Sequence, residues 1–464
     1  MFLNAYIFHF LGLLGGIWFL HILVYLVIPF TSQVETRYAL LYSLCYVALC
    51  ISAAFITRGL VMSSYRKGDL NAETTLIDLI SSPHLLPTLT ILSLIGVGLH
   101  LYDKIVINQF DYSGCLAAVR DTWIQRGIGR GYSISSWQSA LGHILSHFSF
   151  MTIAVLILVQ DRVNAMARRF YSSAAIVGVL IYASVISSRS TLLFLLYTCI
   201  LAGVLRNALF PGRLKMVLRG SVGVFLGVTA ALVFFAVYVF WDGVNCEYGE
   251  PIRRGLMSRT AATQEYSEGY LDDLAIKVKL SDIGIGYGGG VISEIQQWTL
   301  SSCPMCNLVG IYLSHGLWNF DSALAAEEHS GTAFWGFAGY WGRRIGVGKW
   351  DTTSGSRAYP RGAISLPGAA WYDFGMLGML LIAVLHGTSI ALVGAGIQQR
   401  GLLGAISIPA YFCLGLVSLW SPLAFAANVM SFPFVGWGFL ITFLVLGLRR
   451  RHVREQTRKP RVSG

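Results

Sequence analysis

Charge is what this sequence has least of. Only 12% of its 464 residues are charged, 55% are hydrophobic and the mean hydropathy is +0.61. A soluble domain carries about 25% charged residues, so a water-soluble globule is excluded. Acidic residues are the scarcer sign, 23 Asp and Glu against 34 Lys and Arg, and no carboxylate cluster has the spacing of a Mg²⁺ or Ca²⁺ site. Eight cysteines are too few and too scattered for a disulfide framework. Cys45, Cys50, Cys199 and Cys413 fall inside apolar segments and read as small core residues. Cys115, Cys246, Cys303 and Cys306 fall between such segments, where a structural disulfide in an oxidising compartment is the expectation. Cys303-Pro304-Met305-Cys306 has CxxC spacing, yet no second CxxC or His pair completes a zinc site, and no metal or other cofactor is expected. The net charge of +11 is a matter of membrane topology rather than of nucleic acid, which is not expected as a partner.

What is present is a series of membrane-length apolar runs. They lie at about 5–30, 38–57, 84–102, 137–160, 173–187, 190–206, 219–240, 370–395, 402–420 and 430–448. The first has no basic leader or small-residue cleavage site and reads as a retained span. The fifth and sixth are separated only by Ser187-Ser188-Arg189-Ser190, which predicts a tight helical hairpin. The expected fold is therefore all-α, a polytopic transmembrane helical bundle of about ten spans with one large, partly helical outer loop. Residues 1–240 form an N-terminal membrane bundle, 241–369 the loop, 370–448 the last spans and 449–464 a basic tail.

Orientation follows from the retention of Lys and Arg in the cytoplasm. Placing the tail from Arg449 inside puts the N-terminus inside too, along with the short loops carrying Arg66 and Lys67, Arg168 and Arg169, Arg213 and Lys215, and Arg400. The remaining basic residues then lie outside, against the topological bias, and are candidates for function. Arg189 sits at the hairpin tip among serines, either as an anion-binding guanidinium or as a snorkelling anchor. The loop 103–136 carries Arg120, Arg126 and Arg130 with Tyr112, Trp123 and Tyr132, suited to an oxyanion or to lipid headgroups. The stretch Trp241 to Pro367 interleaves Arg253, Arg343, Arg344, Arg357 and Arg361 with Trp298, Trp318, Trp335 and Trp341. Guanidinium forks grip phosphate and indoles stack on sugars, so this mixture suits a ligand bearing both, although a plain extramembrane cap has a similar composition. Within it, Tyr312-Leu313-Ser314-His315-Gly316 offers His315 as a general base near Asp321, with His329 as its rival. Asp373, at the start of the eighth span, could pair with an arginine or serve as the base. The Gly375-x-x-Gly378 spacing after it reads as close helix packing.

Three strings together resemble the Wzy-type O-antigen polymerases and related oligosaccharide repeat-unit polymerases of bacterial surface polysaccharide. They are Ser187-Ser188-Arg189-Ser190 at an outer turn, Tyr312-Leu313-Ser314-His315-Gly316 in a large outer loop, and Leu366-Pro367-Gly368 to Tyr372-Asp373-Phe374-Gly375-Met376-Leu377-Gly378. The resemblance implies a multi-pass glycosyltransferase of the bacterial inner membrane, with cytoplasmic termini and a periplasmic large loop, acting in lipopolysaccharide or other polysaccharide biosynthesis. It implies a metal-independent reaction joining undecaprenyl-pyrophosphate-linked repeat units, with a glycan donor and acceptor, membrane lipid and a chain-length regulator as partners. Catalytic roles would fall to Arg189, His315 and Asp373. Substrate would be bound by Arg120, Arg126, Arg130, Arg343, Arg344, Arg357, Arg361 and Tyr312. O-antigen ligases share the plan and differ in acceptor, and a lipid-linked glycan flippase is a third reading.

Overall fold

A computed structural model describes residues 2–27, 30–32, 38–64, 84–110, 112, 136–185, 189–209, 229, 276–278, 313–314, 316–321, 323–324, 364–399, 402–423 and 431–458. These form long helices: α1 (Phe2–Val27), α2 (Tyr38–Ser64), α3 (Leu85–Tyr102), α4 (Trp137–Ser146), α5 (Phe148–Leu158), α6 (Ala165–Val185), α7 (Arg189–Leu209), α8 (Leu366–Ile397), α9 (Leu402–Trp420) and α10 (Ser431–Arg458). Six helical stretches, four of them single helices from this series, are long and apolar enough to cross a membrane. Helices α4 and α5 form one of these, Trp137–Leu158, turning at His147, and α3 runs on through a π-turn, Asp103–Ile107. The chain is a multi-pass helical membrane protein. Among the described residues the only strands are β1 (Phe30–Ser32) and β2 (Ile276–Val278), paired antiparallel with Phe30 opposite Val278.

Bonds between helix ends sort the bundle into two ends. At one, Arg58 on α2 donates to Asn4 on α1 at 2.8 Å, and Asn207 on α7 bonds His9 on α1 at 3.0 Å. At the same end the buried Arg206 guanidinium donates to the Ile157 and Leu158 carbonyls at 2.8 and 2.7 Å and pairs with Asp161. The last carbonyls of a helix have no partner within it, and in a low-dielectric setting this cation supplies one. At the opposite end lie the last turns of α1 and α9 and the first turns of α2 and α8, joined by contacts described below. α1 and α9 therefore run toward this end, and α2, α7 and α8 run away from it.

Lipid tails are as apolar as leucine, so burial from water does not drive these helices together; close packing and buried hydrogen bonds do. Small residues permit the approach. Gly387 on α8 meets the Cys50 carbonyl of α2, and Gly96 on α3 meets the Ser146 amide of α4, with no space at either for a methyl group. The Gly375-x-x-Gly378 pair does not work this way, contrary to expectation. Gly375 has open space around it and a left-handed backbone, φ 67°, ψ −169°, which kinks α8 rather than packing it. Gly378 faces Phe374, one turn earlier on its own helix. Cys50 and Cys199 are buried as expected, whereas Cys45 is exposed on the flank of α2; Cys115, Cys246, Cys303 and Cys306 lie outside the described residues.

Gly387→Val is expected to force α2 and α8 apart and lower stability by about 2–3 kcal/mol. Gly12, with nothing within 4 Å, is its control. Thermal unfolding in detergent should show a lower midpoint for the first and an unchanged or higher one for Gly12→Ala, since alanine is the better helix former.

Candidate functional site

The described residues of 313–324 are helical and, except for the half-buried Leu313 and Leu324, buried at the end of the bundle opposite Arg206. Ser314, Leu317, Phe320 and Asp321 are fully covered, and Trp318 and Asn319 nearly so. Two devices hold this segment in place. The first is the Asp321 carboxylate, which accepts from the Tyr25 hydroxyl of α1 at 2.7 Å and from the Ala39 amide of α2 at 3.4 Å. An anion here meets the first amides and positive dipole end of α2, which stabilise it. The second is backbone contact at Gly316. Its carbonyl accepts from the Ser365 amide at 3.2 Å, and its α-carbon lies against the Pro422 and Leu423 carbonyls.

Ser365 immediately precedes α8, and Pro422 and Leu423 follow the end of α9. Ser365 caps α8 by accepting from the Gly368 amide at 3.3 Å, with Pro367 in the first turn where its missing N–H costs nothing. The Leu366 amide donates to the Ser421 carbonyl at 2.8 Å, and the Ser421 hydroxyl accepts from the Trp18 indole at 2.9 Å. Tyr42 bridges the assembly, its ring 4.7 Å from Trp371 and 6.5 Å from Phe320. Asp373 lies in α8 just before the Gly375 kink, half-buried, so it belongs to the second helical turn and not to the start of the span.

Arg189 opens α7, with only three residues between it and the end of α6 at Val185, which is the predicted tight hairpin. One contact ties this hairpin to the segment just described, and a second ties it to the loop 103–136. Phe194, five residues on, stacks against Trp420 at 4.6 Å, and Trp420 immediately precedes Ser421 and Pro422. Tyr112, from the loop 103–136, donates to the Val185 carbonyl at 3.0 Å. Burial and then the Asp103 carboxylate push the Tyr112 hydroxyl up to about 12, so it stays protonated and able to donate. The base of that loop is also fastened. The buried Asp103 carboxylate meets Lys104 at 3.4 Å and accepts from the Ser136 hydroxyl, and Ser136 in turn caps α4 by accepting from the Ser139 amide at 3.1 Å.

Of the residues singled out in the sequence, Asp373 is described in full and Arg189 by its place in the backbone. His315 itself lies outside the described residues, as do Tyr312, Arg120, Arg126, Arg130, Arg343, Arg344, Arg357 and Arg361, but Ser314 and Gly316 flank it. Sequence reasoning named Asp321 only as a neighbour for His315 and missed its link to α1 and α2; its partners are 296 and 282 residues away in the chain. It missed Trp420, Ser421 and Trp18 for the same reason. Among the described residues no group of three or more His, Cys, Asp or Glu is arranged to hold a metal ion. No protein-family model, curated protein or solved structure matches the chain.

Asp321→Ala leaves the Tyr25 hydroxyl and the Ala39 amide without their acceptor and is expected to cost about 2–4 kcal/mol; Tyr25→Phe should cost about 1 kcal/mol. Thermal unfolding of the two variants checks the ranking. Tyr112 has a separate signature in alkali. Its folded pKa of about 12 lies above the unfolded value of 10.0, so its contribution is complete below pH 10 and is lost as pH rises through 12. Tyr112→Phe should flatten that part of the stability curve.

Proposed function

We propose that this protein is an integral inner-membrane glycosyltransferase of bacteria, a polymerase that joins undecaprenyl-pyrophosphate-linked oligosaccharide repeat units at the periplasmic face. What supports the reading is one observation: the backbone flanking His315, the turn that begins with Arg189 and the first turns of α8 with Asp373 are all fastened around Trp420 to Leu423. Three strings far apart in sequence, which taken together resemble the polymerases, thus share one end of the bundle. In this reading that end is periplasmic, the chain crosses about ten times with both termini in the cytoplasm, and 241–369 is a periplasmic loop. The β1 and β2 pairing is in keeping with this, since it joins the α1–α2 link to a piece of that loop.

The chemistry is a glycosyl transfer. The bond from the anomeric carbon of the donor glycan to its pyrophosphate breaks, and a bond to a hydroxyl oxygen of the acceptor unit forms. The acceptor proton goes to a base, His315 or Asp373, and the lipid pyrophosphate leaves with the electron pair. Arg189 offsets the charge that develops on the leaving group, aided by arginines of the loops, Arg120, Arg126 and Arg130 from one and Arg343, Arg344, Arg357 and Arg361 from the other. Fixed cations in a partly dry site are worth more than in water, since they need no reorganisation as charge develops. Tyr312 and the loop indoles would line a path for the sugar chain.

The test is the length distribution of surface polysaccharide in cells lacking the protein, complemented with variants. Wild type should restore long chains, and Arg189→Ala should reduce polymer about 10²–10³-fold. Arg189→Lys should rescue poorly, because an ammonium cannot fork onto two phosphate oxygens. Long chains in the deletion strain, or full activity of Arg189→Ala, would refute the polymerase. Accumulation of long lipid-linked chains that never reach their final acceptor would mark it as a ligase instead.

A further inference from the structure

Away from that site, α3, α4, α5 and α6 enclose a group of polar rings inside the membrane span. His100 on α3 is 1% exposed, and neither of its ring nitrogens has a partner among the described residues. His147, at the turn between α4 and α5, is fully buried; its Nδ1 donates to the His143 carbonyl one turn back, so Nε2 is an acceptor, and it too lacks a partner. His143 bonds the Tyr182 hydroxyl of α6 through Nδ1. The His100 ring lies 4.4 Å from that of His143 and 5.0 Å from that of Tyr182, and the His147 ring lies 5.0 Å from Tyr182. Phe150 stacks on His147 at 5.5 Å and Phe434 of α10 on His143 at 5.3 Å, closing the group with apolar faces.

The spacing is set by backbone. Gly96 and Gly142 bring α3 and α4 together at their α-carbons, with the Ser146 amide against Gly96 and the His100 amide against Gly142. The backbones that carry the rings are thus held in contact at this level. A neutral imidazole offers one N–H and one lone pair, and leaving either unmatched in an apolar interior costs about 1–3 kcal/mol. Between His100 and His147 there are thus two lone pairs and one N–H to satisfy. One water, with two donors and two acceptors, satisfies any two of them at once.

We propose that His100 and His147 hold an internal water between them, and that this bridged pair is a binding site for one proton within the membrane. A proton shared between two imidazoles through water is spread over both rings, which reduces the cost of charge at that depth. The titratable and charged groups facing the pair are His143 on α4, Tyr182 on α6, and Asp103 with Lys104 one turn further along α3; Phe434 is what α10 contributes. Asp103 and Lys104 form an ion pair, so together they add little net charge. Asp103 also accepts from Ser136 at the rim of the loop 103–136. The inference does not rest on the glycosyltransferase reading.

The test uses the full chain in lipid nanodiscs and follows exchange of each imidazole C2 hydrogen for deuterium by mass spectrometry, across pH. His9 and His84 are exposed and serve as controls. His100 and His147 should exchange measurably, with a shared pH midpoint. Exchange confined to the controls would mean a dry site and overturn the proposal. A second measurement compares His100→Phe, His147→Phe and the double variant by thermal unfolding. A water held by both residues predicts that the double variant falls by less than the sum of the two single falls; additive falls, or a higher midpoint for His100→Phe, would overturn it.

Discussion

The carboxylate of Asp321 is the point on which one end of this bundle turns. A buried anion is tolerated only where donors surround it, and here a phenol from α1 and the opening amide of α2 provide them. The consequence is not chiefly stability. Because those donors belong to two different helices, the segment 316–321 is held at a fixed height and rotation between them. Phe320 then packs between Tyr42 and Gly368, and Gly316 is pressed against the end of α9. A loop segment that would otherwise rest on the bundle becomes part of it, and whatever His315 does, it does from a rigid base.

The two ends of the molecule solve the same physical problem differently. Every helix end in a membrane leaves backbone groups that need partners. At the Arg206 end, among the described residues, Arg206 meets the last carbonyls of α5 and pairs with Asp161, while side-chain bonds join Arg58 to Asn4 and Asn207 to His9. At the Asp321 end such backbone groups are met by the long intervening stretches. Asp321 serves α2, Gly316 receives Ser365 beside the start of α8, and Tyr112 serves the end of α6. Among the described residues, then, helix residues join the first end, and residues of the intervening stretches join the second.

This difference also explains how much was legible in the sequence. The spans could be read because hydropathy over some twenty residues is a local property, and α1, α2, α3, α7, α8 and α9 begin or end within a few residues of where it placed them. The hairpin at Arg189 was legible because only three residues separate α6 from α7. The kink at Gly375 was not, since a glycine in an apolar helix can mark close packing, a bend or nothing. Asp321 was hidden for a different reason: a carboxylate's role depends on what faces it, and Tyr25 and Ala39 are nearly three hundred residues away. Trp420 and Ser421 were hidden likewise. The histidines at 100, 143 and 147 were open to notice, with two of them four apart on one helical face, but a polar residue in an apolar run shows its importance only once its partners, or the lack of them, are known.

These considerations bear on where chemistry can happen. A site that stabilises a leaving diphosphate needs cations held in place while lipid-linked substrates come and go, and loops alone are poor at holding anything. Here the first turn of α7 is backed by Phe194 on Trp420, and the start of α8 is pinned by Leu366 on Ser421. The segment around Gly316 is locked to the same corner by Pro422 and Leu423. In the proposed reading, arginines of the long loops would be recruited by substrate, whereas Arg189 and Asp373 belong to helices whose backbones are already fastened to this corner. Preorganisation of that kind separates a catalytic face from a merely basic one, since charge that must first be gathered spends binding energy that would otherwise lower the barrier.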